Sequence, residues 1–119
     1  MSRIVHFEIP AEDTGKITGF FTSVFGWQFQ QWGEEEYFLT TGGDPEEEGI
    51  GGAVIKKNGP THPVTNSISV DSIDDIIPVI ESNGGKIVVP KQTVGDMGFL
   101  AYFTDPEGTI FGLWESAKQ

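Results

Sequence analysis

Two short alternating runs, Ile4-Val5-His6-Phe7-Glu8-Ile9 and Val64-Thr65-Asn66-Ser67-Ile68-Ser69-Val70, decide the fold that this sequence predicts. Alternation of apolar and polar residues is typical of half-buried β-strands. The second run repeats the first at a constant offset of 59 residues, which pairs His6 with Thr65. A repeat of this length indicates two copies of one supersecondary unit.

The same offset holds over most of each half. It pairs Glu8 with Ser67, Ile17 with Ile76, Phe20 with Val79, Gly26 with Gly85 and Gly49 with Gly108. The chain divides in the turn-rich stretch 59–63, which contains two prolines and a glycine. We therefore predict one domain over 1–119, with module one at 1–58, a linker at 59–63 and module two at 64–119.

Each half predicts a strand, a helix and three further strands. In the first half, Asp13 or Thr14 is positioned to cap a helix that Gly26 ends. One apolar stripe runs along that helix, at Ile17, Phe20, Phe21, Val24 and Phe25. Strands are predicted near 28–32, 37–41 and 51–56.

The second half repeats this pattern with one irregularity. Asp71 or Ser72 caps a helix whose apolar residues are Ile73, Ile76, Ile77 and Ile80. Pro78 lies inside this helix and is expected to bend it or shorten its start. Strands are predicted near 86–89, 99–104 and 109–115.

These elements predict an α+β fold of two tandem βαβββ modules. Phe7 and its neighbours suit packing under a helix, whereas His6 and Glu8 lie on the other face of the first strand. The matching face of the second module carries Thr65 and Ser67. If the two sheets face each other, these polar faces line a small-molecule groove.

Composition excludes several classes of partner. Seven Lys+Arg against eighteen Asp+Glu give a net charge of −11, which argues against nucleic acid and anionic membranes. The chain has no cysteine, so disulfides and thiolate metal sites are excluded. The start of the sequence lacks the apolar core of a secretion signal, and we expect a cytoplasmic protein. An anionic ligand is disfavoured unless Lys56, Lys86 or Lys91 reaches the groove.

The sequence resembles the vicinal oxygen chelate superfamily, which includes glyoxalases, bleomycin resistance proteins and extradiol dioxygenases. The resemblance covers nearly the whole chain, and its most specific motif is the closing segment. The matching segments are His6-Phe7-Glu8-Ile9-Pro10, Phe20 to Trp27, Val70 to Asp74, Gly84 to Val88 and Phe103-Thr104-Asp105-Pro106-Glu107-Gly108-Thr109-Ile110-Phe111-Gly112-Leu113-Trp114. The resemblance implies a curved mixed sheet around a ligand groove, and commonly a homodimer.

The resemblance also implies four positions for the ligands of a divalent metal. They fall on His6, Ala53, Thr65 and Gly112, of which only His6 is a plausible retained ligand. Glu115 lies three residues past Gly112, so strand alternation places it on the opposite face. We therefore expect no tight metal and no other cofactor.

Candidate site residues follow from these positions. His6 and Glu8 are the candidate acid–base pair, and each alternatively forms only structural hydrogen bonds in a polar groove. Four residues are candidates for binding the ligand: Thr65, Ser67, Gly112 and Trp114. Gly112 is expected to leave room where a metal-ligating carboxylate would stand, and Trp114 is expected to offer a ring to the ligand.

Three functions remain open at this point. The first is a protein that binds a small organic molecule without a tight metal, and either sequesters it or performs metal-free acid–base chemistry. The second is a metal-dependent lyase, isomerase or dioxygenase of the glyoxalase type, using Mn²⁺, Ni²⁺, Fe²⁺ or Zn²⁺. The third is a non-catalytic interaction or dimerisation module.

Overall fold

The computed structural model describes residues 2–59 and 62–117. Two copies of the βαβββ order are present, as predicted. The elements are β1 (Ile4–Ala11), α1 (Thr14–Phe25), β2 (Phe29–Gln31), β3 (Tyr37–Thr40), β4 (Gly51–Lys56), β5 (Thr65–Ser69), α2 (Ile73–Ser82), β6 (Lys86–Val94), β7 (Gly98–Thr104) and β8 (Ile110–Ser116). The class is therefore α+β. Neither described helix is long and apolar enough to cross a membrane.

The chain forms two compact units that differ slightly from the predicted modules. One unit is His6–Val64, and the other joins Met1–Val5 to Thr65–Gln119. The first residues group with the second unit because the backbone N–H of Ser69 donates to the carbonyl of Arg3 at 2.9 Å. Of the predicted linker at 59–63, Pro60 and Thr61 lie outside the described residues.

In the His6–Val64 unit, β4 lies between β3 and β1. β2 pairs antiparallel with β3, β3 antiparallel with β4, and β4 parallel with β1. Helix α1 covers the face that carries Phe7, whose ring centroid lies 5.9 Å from that of Trp27. Trp27 in turn stacks on Phe21 of α1 at 4.9 Å. Because side chains alternate along β1, His6 and Glu8 project from the face away from α1.

Both ends of α1 confirm the predicted caps. The carboxylate of Asp13 accepts a hydrogen bond from the backbone N–H of Lys16 at 3.0 Å. Gly26 ends the helix in the left-handed conformation, and its N–H bonds back to the last turn.

In the second unit, β8 lies between β5 and β7, and β6 pairs only with β7 among these four strands. β5 and β8 run parallel, whereas β8–β7 and β7–β6 are antiparallel. The core consists of Ile73, Ala101 and Leu113, against which the remaining isoleucines of α2 pack. The predicted apolar stripe of α2 is therefore its buried face.

Of the two effects expected of Pro78, a shortened start of α2 is wrong, and a bend in the helix stays a prediction. The helix begins directly after Ser72, and Pro78 occupies its sixth position. The first turn of α2 is stabilised because the hydroxyl of Ser72 accepts from the backbone N–H of Asp75 at 3.1 Å. Ile73, which opens the helix, is completely buried and anchors it in the core.

Strand β6 extends to Val94, beyond the predicted end at 89. Pro90 directly follows the predicted end, and proline donates no ladder hydrogen bond. The register of β6 against β7 shifts between Ile87 and Val89 and again between Val89 and Gln92. β6 pairs with one neighbour only, and a proline is tolerated at such an irregular edge position.

We expect Ser72→Ala to lower the free energy of unfolding by about 1 kcal/mol, because the substitution removes the N-cap acceptor of α2. Urea denaturation followed by circular dichroism measures the loss. The matched control is Ser82→Ala in the last turn, where the hydroxyl donates to the backbone carbonyl of Val79 in an exposed hydrogen bond. Equal losses in the two variants would contradict the capping role.

Candidate functional site

Three side chains meet on the face of the His6–Val64 unit that lies away from α1. The phenolic oxygen of Tyr37 lies 3.0 Å from Nε2 of His6. The same hydroxyl donates to Oε2 of Glu8 at 3.1 Å. The three residues form a hydrogen-bonded row with Tyr37 in the middle, and we call this row the Tyr37 cluster.

The strand register explains how Tyr37 reaches β1. Its own strand, β3, is separated from β1 by β4. Opposite His6 and Glu8, β4 carries Gly51 and Ala53. Tyr37 itself lies opposite Ile55 of β4. Because the two residues opposite His6 and Glu8 are small, they leave room for the Tyr37 ring to extend to β1. Ala53 is also a position where the resemblance implies a metal ligand, and its methyl group leaves the path to Tyr37 open.

Burial sets the protonation state of His6. Glu8 is only 4% exposed and His6 is half-buried. Burial lowers the pKa of His6 below its usual 6.5, and the nearby charge of Glu8 partly opposes this. His6 is therefore neutral at neutral pH. Tyr37 donates its one hydroxyl proton to Glu8, so its oxygen must accept in the hydrogen bond with His6. The proton of the neutral imidazole therefore lies on Nε2, and Nδ1 keeps a lone pair.

Tyr37 is the residue that sequence reasoning missed. The prediction placed a strand at 37–41 but assigned no chemistry to it. The contact of Tyr37 with His6 and Glu8 cannot be recognised from neighbouring sequence, because it depends on which residues of β4 separate β3 from β1. An indole lies beside the cluster: the ring of Trp32 is 6.3 Å from that of Tyr37, at 67°, and Trp32 is 38% exposed. Its backbone N–H donates to the carbonyl of Tyr37 at 2.9 Å.

The side chains present do not fit a divalent metal. Across residues 2–59 and 62–117, no group of three or more histidine, aspartate or glutamate side chains converges to hold one. At the positions implied by the resemblance, Ala53 and Gly112 have no donor atom, and Thr65 offers only a buried hydroxyl. A metal of this kind needs several histidine or carboxylate ligands. His6 and Glu8 remain, and both contact Tyr37.

The structure brings two of the predicted ligand-binding residues together in the second unit. Ser67 of β5 lies opposite Gly112 of β8, and a Cβ added at Gly112 would overlap the hydroxyl of Ser67. The space expected at Gly112 is thus taken by Ser67. Thr65 and Ser67 are both buried, and Trp114 is half-buried opposite Ser69. A role for these residues in ligand binding stays a prediction.

Glu115 lies on the opposite face of β8 from Gly112, as predicted. Its carboxylate accepts a hydrogen bond from the backbone N–H of Ile73 at 2.8 Å, at the start of α2. Lys91 lies 2.9 Å from Asp74 and 4.0 Å from Glu115. The carboxylate of Glu115 therefore stabilises a helix end and is not available to replace a missing metal ligand.

Two of the lysines considered for an anionic ligand are engaged elsewhere. Lys91 contacts Asp74 and also lies 4.5 Å above the ring of Phe99. Lys56 donates to the carbonyl of Glu12 at 2.7 Å. Lys86 is exposed at the start of β6. The cluster around Tyr37 thus gains no positive charge from Lys56 or Lys91.

A separate cavity lies at the end of β3. This cavity of about 260 Å³ is lined by Thr40, Thr41, Asp44, Glu47, Glu48 and Gly51, among others. None of the Tyr37 cluster lines it. Its lining holds hydroxyls and carboxylates but no imidazole, so we place the candidate chemistry at the Tyr37 cluster.

The lowered pKa of His6 predicts a pH-dependent stability. Above pH 6.5, His6 is neutral in both the folded and the unfolded chain, so its titration does not change the free energy of unfolding. As the pH falls below 6.5, the unfolded chain takes up the proton first, so the folded state loses stability until the lower folded pKa is passed. Urea denaturation between pH 5 and 8 measures this loss, with a slope of at most about 1.4 kcal/mol per pH unit. His6→Gln is expected to reduce the slope, and an unchanged slope would contradict the assignment.

Comparison with known proteins agrees with the resemblance seen in the sequence. Residues 3–43 match a family model described as bleomycin resistance protein-like N-terminal. A provisionally named glyoxylase, CFP32, of Mycobacterium tuberculosis (strain CDC 1551 / Oshkosh) is 25% identical over 120 residues, which cover 93% of this chain. These matches indicate the vicinal oxygen chelate superfamily, which the sequence also resembles. It spans 44% of the length of the curated relative, so the activity of that whole protein is not transferred to it.

Solved structures with low sequence identity share the fold of this chain. A methylmalonyl-CoA epimerase from Mycobacterium tuberculosis superposes with a TM-score of 0.72 at 11% identity, covering 96% of this chain and 87% of the epimerase. The hypothetical protein BH1468 from Bacillus halodurans superposes with a TM-score of 0.69 at 12% identity, covering 99% and 96%. The segment matched by the family model contains all three members of the Tyr37 cluster.

Proposed function

We propose that this protein binds a small, neutral organic molecule at the Tyr37 cluster and moves a proton on it without a metal. The observation that carries the proposal is the hydroxyl of Tyr37 within hydrogen-bond distance of both Nε2 of His6 and Oε2 of Glu8. In this row the neutral imidazole of His6 is the base and the phenol of Tyr37 is the acid. The charge of the buried Glu8 carboxylate stabilises the protonated base.

The chemistry suited to this row is reversible removal of a proton from carbon beside a carbonyl group. The C–H proton passes to Nδ1 of His6, and the electron pair of that bond is delocalised onto the carbonyl oxygen. The buried charge of Glu8 favours the imidazolium that forms, in keeping with its effect on the pKa of His6. Return of the proton to carbon restores both partners, so no oxidant, reductant or leaving group is needed.

The surroundings of the cluster favour a ligand that is neutral and partly flat. The chain carries a net charge of −11, and Lys56 and Lys91 contact other groups. The exposed indole of Trp32 beside Tyr37 offers an apolar surface on which a planar ligand stacks. A carbonyl compound with a planar, uncharged substituent meets both conditions.

Sequestration without chemistry is the second candidate function. A base whose pKa lies below 6.5 removes protons efficiently only from fairly acidic carbon acids. The match to a bleomycin resistance protein-like family model also favours a role in binding. Under this alternative, a ligand raises the melting temperature of the protein but no proton is exchanged.

The proposal is tested by solvent exchange. The protein is incubated in D₂O with hydroxyacetone or acetylacetone, and loss of the C–H signal next to the carbonyl is followed by proton NMR. We expect the protein to accelerate exchange above the buffer rate, equally with and without EDTA. A rise in melting temperature without exchange would support sequestration instead.

Metal analysis separates the metal-dependent alternative from this proposal. Protein purified without chelator is analysed for bound metal beside protein reloaded with Mn²⁺, Ni²⁺, Fe²⁺ or Zn²⁺. Near-stoichiometric metal that is lost in His6→Ala, together with exchange that EDTA abolishes, would overturn the metal-free proposal. Metal content that does not depend on His6 would support it.

A further inference from the structure

A groove adjoins the Tyr37 cluster on the outer strands of the His6–Val64 unit, and we call it the β2–β3 groove. It has a volume of about 530 Å³ and is lined by residues 28–30 and 39–41. Small-molecule sites in proteins have volumes of this order. The groove therefore has room for a part of the ligand beyond the carbonyl group that the proposed function places at Tyr37.

The strand register places residues of this groove on the same face of the sheet as the cluster. Leu39 is two residues beyond Tyr37 on β3, so both side chains leave the same face, about 7 Å apart. Gln30 of β2 lies directly opposite Leu39. Trp32, two residues beyond Gln30, has its ring beside that of Tyr37. A ligand that extends from Tyr37 along β3 thus meets first an indole and then a glutamine amide.

The β2–β3 groove offers an apolar patch and uncharged hydrogen-bonding groups. Leu39 is half-buried, whereas Gln28 and Gln30 are exposed. A glutamine amide both donates and accepts hydrogen bonds, so it can form two bonds at once with another amide. Of the described residues, those that line the groove include no lysine or arginine.

Carboxylates close to the groove disfavour an anionic ligand. Thr40 and Thr41 line both the groove and the cavity of about 260 Å³ that carries Asp44, Glu47 and Glu48. The two spaces are therefore adjacent. A negatively charged group in the groove is repelled by these three carboxylates.

We propose that the β2–β3 groove selects a carbonyl compound whose far end is a carboxamide, and that Gln30 is the residue that recognises this amide. The inference rests on the proposed function, because the carbonyl end of the ligand lies at the Tyr37 cluster. The middle of the ligand crosses Leu39, and its amide end lies beside Gln30. A carboxamide is planar and uncharged, so it suits both the exposed ring of Trp32 and the negative charge near the groove.

Three probes that differ only at one end test this selection. Each is a methyl β-diketone with a three-carbon chain that ends in a carboxamide, a carboxylate or an ethyl group, and its dissociation constant is measured by NMR titration. We expect the carboxamide to bind about fivefold more tightly than the ethyl compound, because one net hydrogen bond contributes about this factor. The carboxylate should bind most weakly. Equal affinities for the carboxamide and the ethyl compound, or tightest binding of the carboxylate, would overturn the proposal.

A fourth probe, ending in an ammonium group, tests the neighbouring carboxylates. If it binds more tightly than the carboxamide, Asp44, Glu47 and Glu48 select the ligand and the role of Gln30 is wrong. Weaker binding of the ammonium compound supports recognition by the glutamine.

Two adjacent glutamines provide matched variants. Gln30→Leu removes the amide in the groove, whereas Gln31 lies on the other face, where its amide donates to the carbonyl of Glu35 at 2.8 Å. We expect Gln30→Leu to abolish the preference for the carboxamide over the ethyl compound, and Gln31→Leu to keep it. A ratio of two affinities is not changed by a general weakening of binding. A preference that survives Gln30→Leu, or that Gln31→Leu also removes, would contradict the assignment. Circular dichroism checks that both variants fold.

The exchange assay in D₂O separates this inference from the proposed function. The acidity of the carbon between the two carbonyl groups is the same in all the probes, because they differ only at the far end. Accelerated exchange with no preference in kcat/KM or in affinity for the carboxamide would support the chemistry at Tyr37 and overturn selection by the groove. Preferential binding of the carboxamide without exchange would support the groove and overturn the proton transfer.

Discussion

His6→Gln is expected to lower the rate of proton exchange by about 100-fold or more, because general base catalysis contributes roughly this much to such reactions. Glutamine retains a side-chain amide that hydrogen-bonds to the hydroxyl of Tyr37, but it has no basic nitrogen at neutral pH. The wild-type rate should also fall as the pH drops below 6.5, since the base must be neutral and burial holds its pKa below that value. The NMR exchange assay in D₂O measures both effects.

The control for this substitution is the other histidine of the chain. His62→Gln removes an imidazole whose Nδ1 accepts from the backbone N–H of Asn58 at 3.0 Å, outside the Tyr37 cluster. It should leave the exchange rate unchanged. Tyr37→Phe keeps the ring but removes the hydroxyl that joins His6 to Glu8. It should slow exchange and alter the pH profile, whereas a purely structural role for Tyr37 would leave the profile where it is. Full activity in His6→Gln would contradict the proposed base.

The sequence was sufficient to predict the repeat and the orientation of β1. The alternation of Phe7 with His6 and Glu8 separates a helix-covered face from a polar face, and the structure agrees on both. These are local properties, set by the two-residue period of a strand. The caps at Asp13 and Ser72 were predictable for the same reason, since a cap is satisfied within three residues along the chain.

Contacts across strands could not be predicted in this way. The meeting of Tyr37 with His6 depends on the small residues of β4, which lie between them only after the strands pair. The overlap of Ser67 with the space beside Gly112 depends likewise on the register of β5 against β8. The length of β6 could not be predicted either, because the cost of Pro90 within a strand depends on whether that strand lies at an edge, which is a tertiary property.

Glu115→Ala is expected to lower the free energy of unfolding by about 2 kcal/mol. The substitution leaves the N–H of the completely buried Ile73 without its carboxylate acceptor, and bonds to charged groups are among the stronger ones in proteins. It also removes a negative charge from the positive end of α2 and a neighbour 4.0 Å from Lys91. Thermal and urea denaturation measure the loss.

Two further variants separate these contributions and connect the result to the site. Glu115→Gln keeps an acceptor for Ile73 but not the charge, so it should cost less than Glu115→Ala. Glu107→Ala removes an exposed glutamate of the β7–β8 turn and should have little effect. A loss in Glu115→Ala no larger than in Glu107→Ala would mean that α2 does not need this carboxylate. The expected result has a functional consequence, because the carboxylate of Glu115 binds the start of α2 from the face opposite Gly112. Metal content should therefore be the same in Glu115→Gln as in the wild type. The chemistry at Tyr37 should proceed in both.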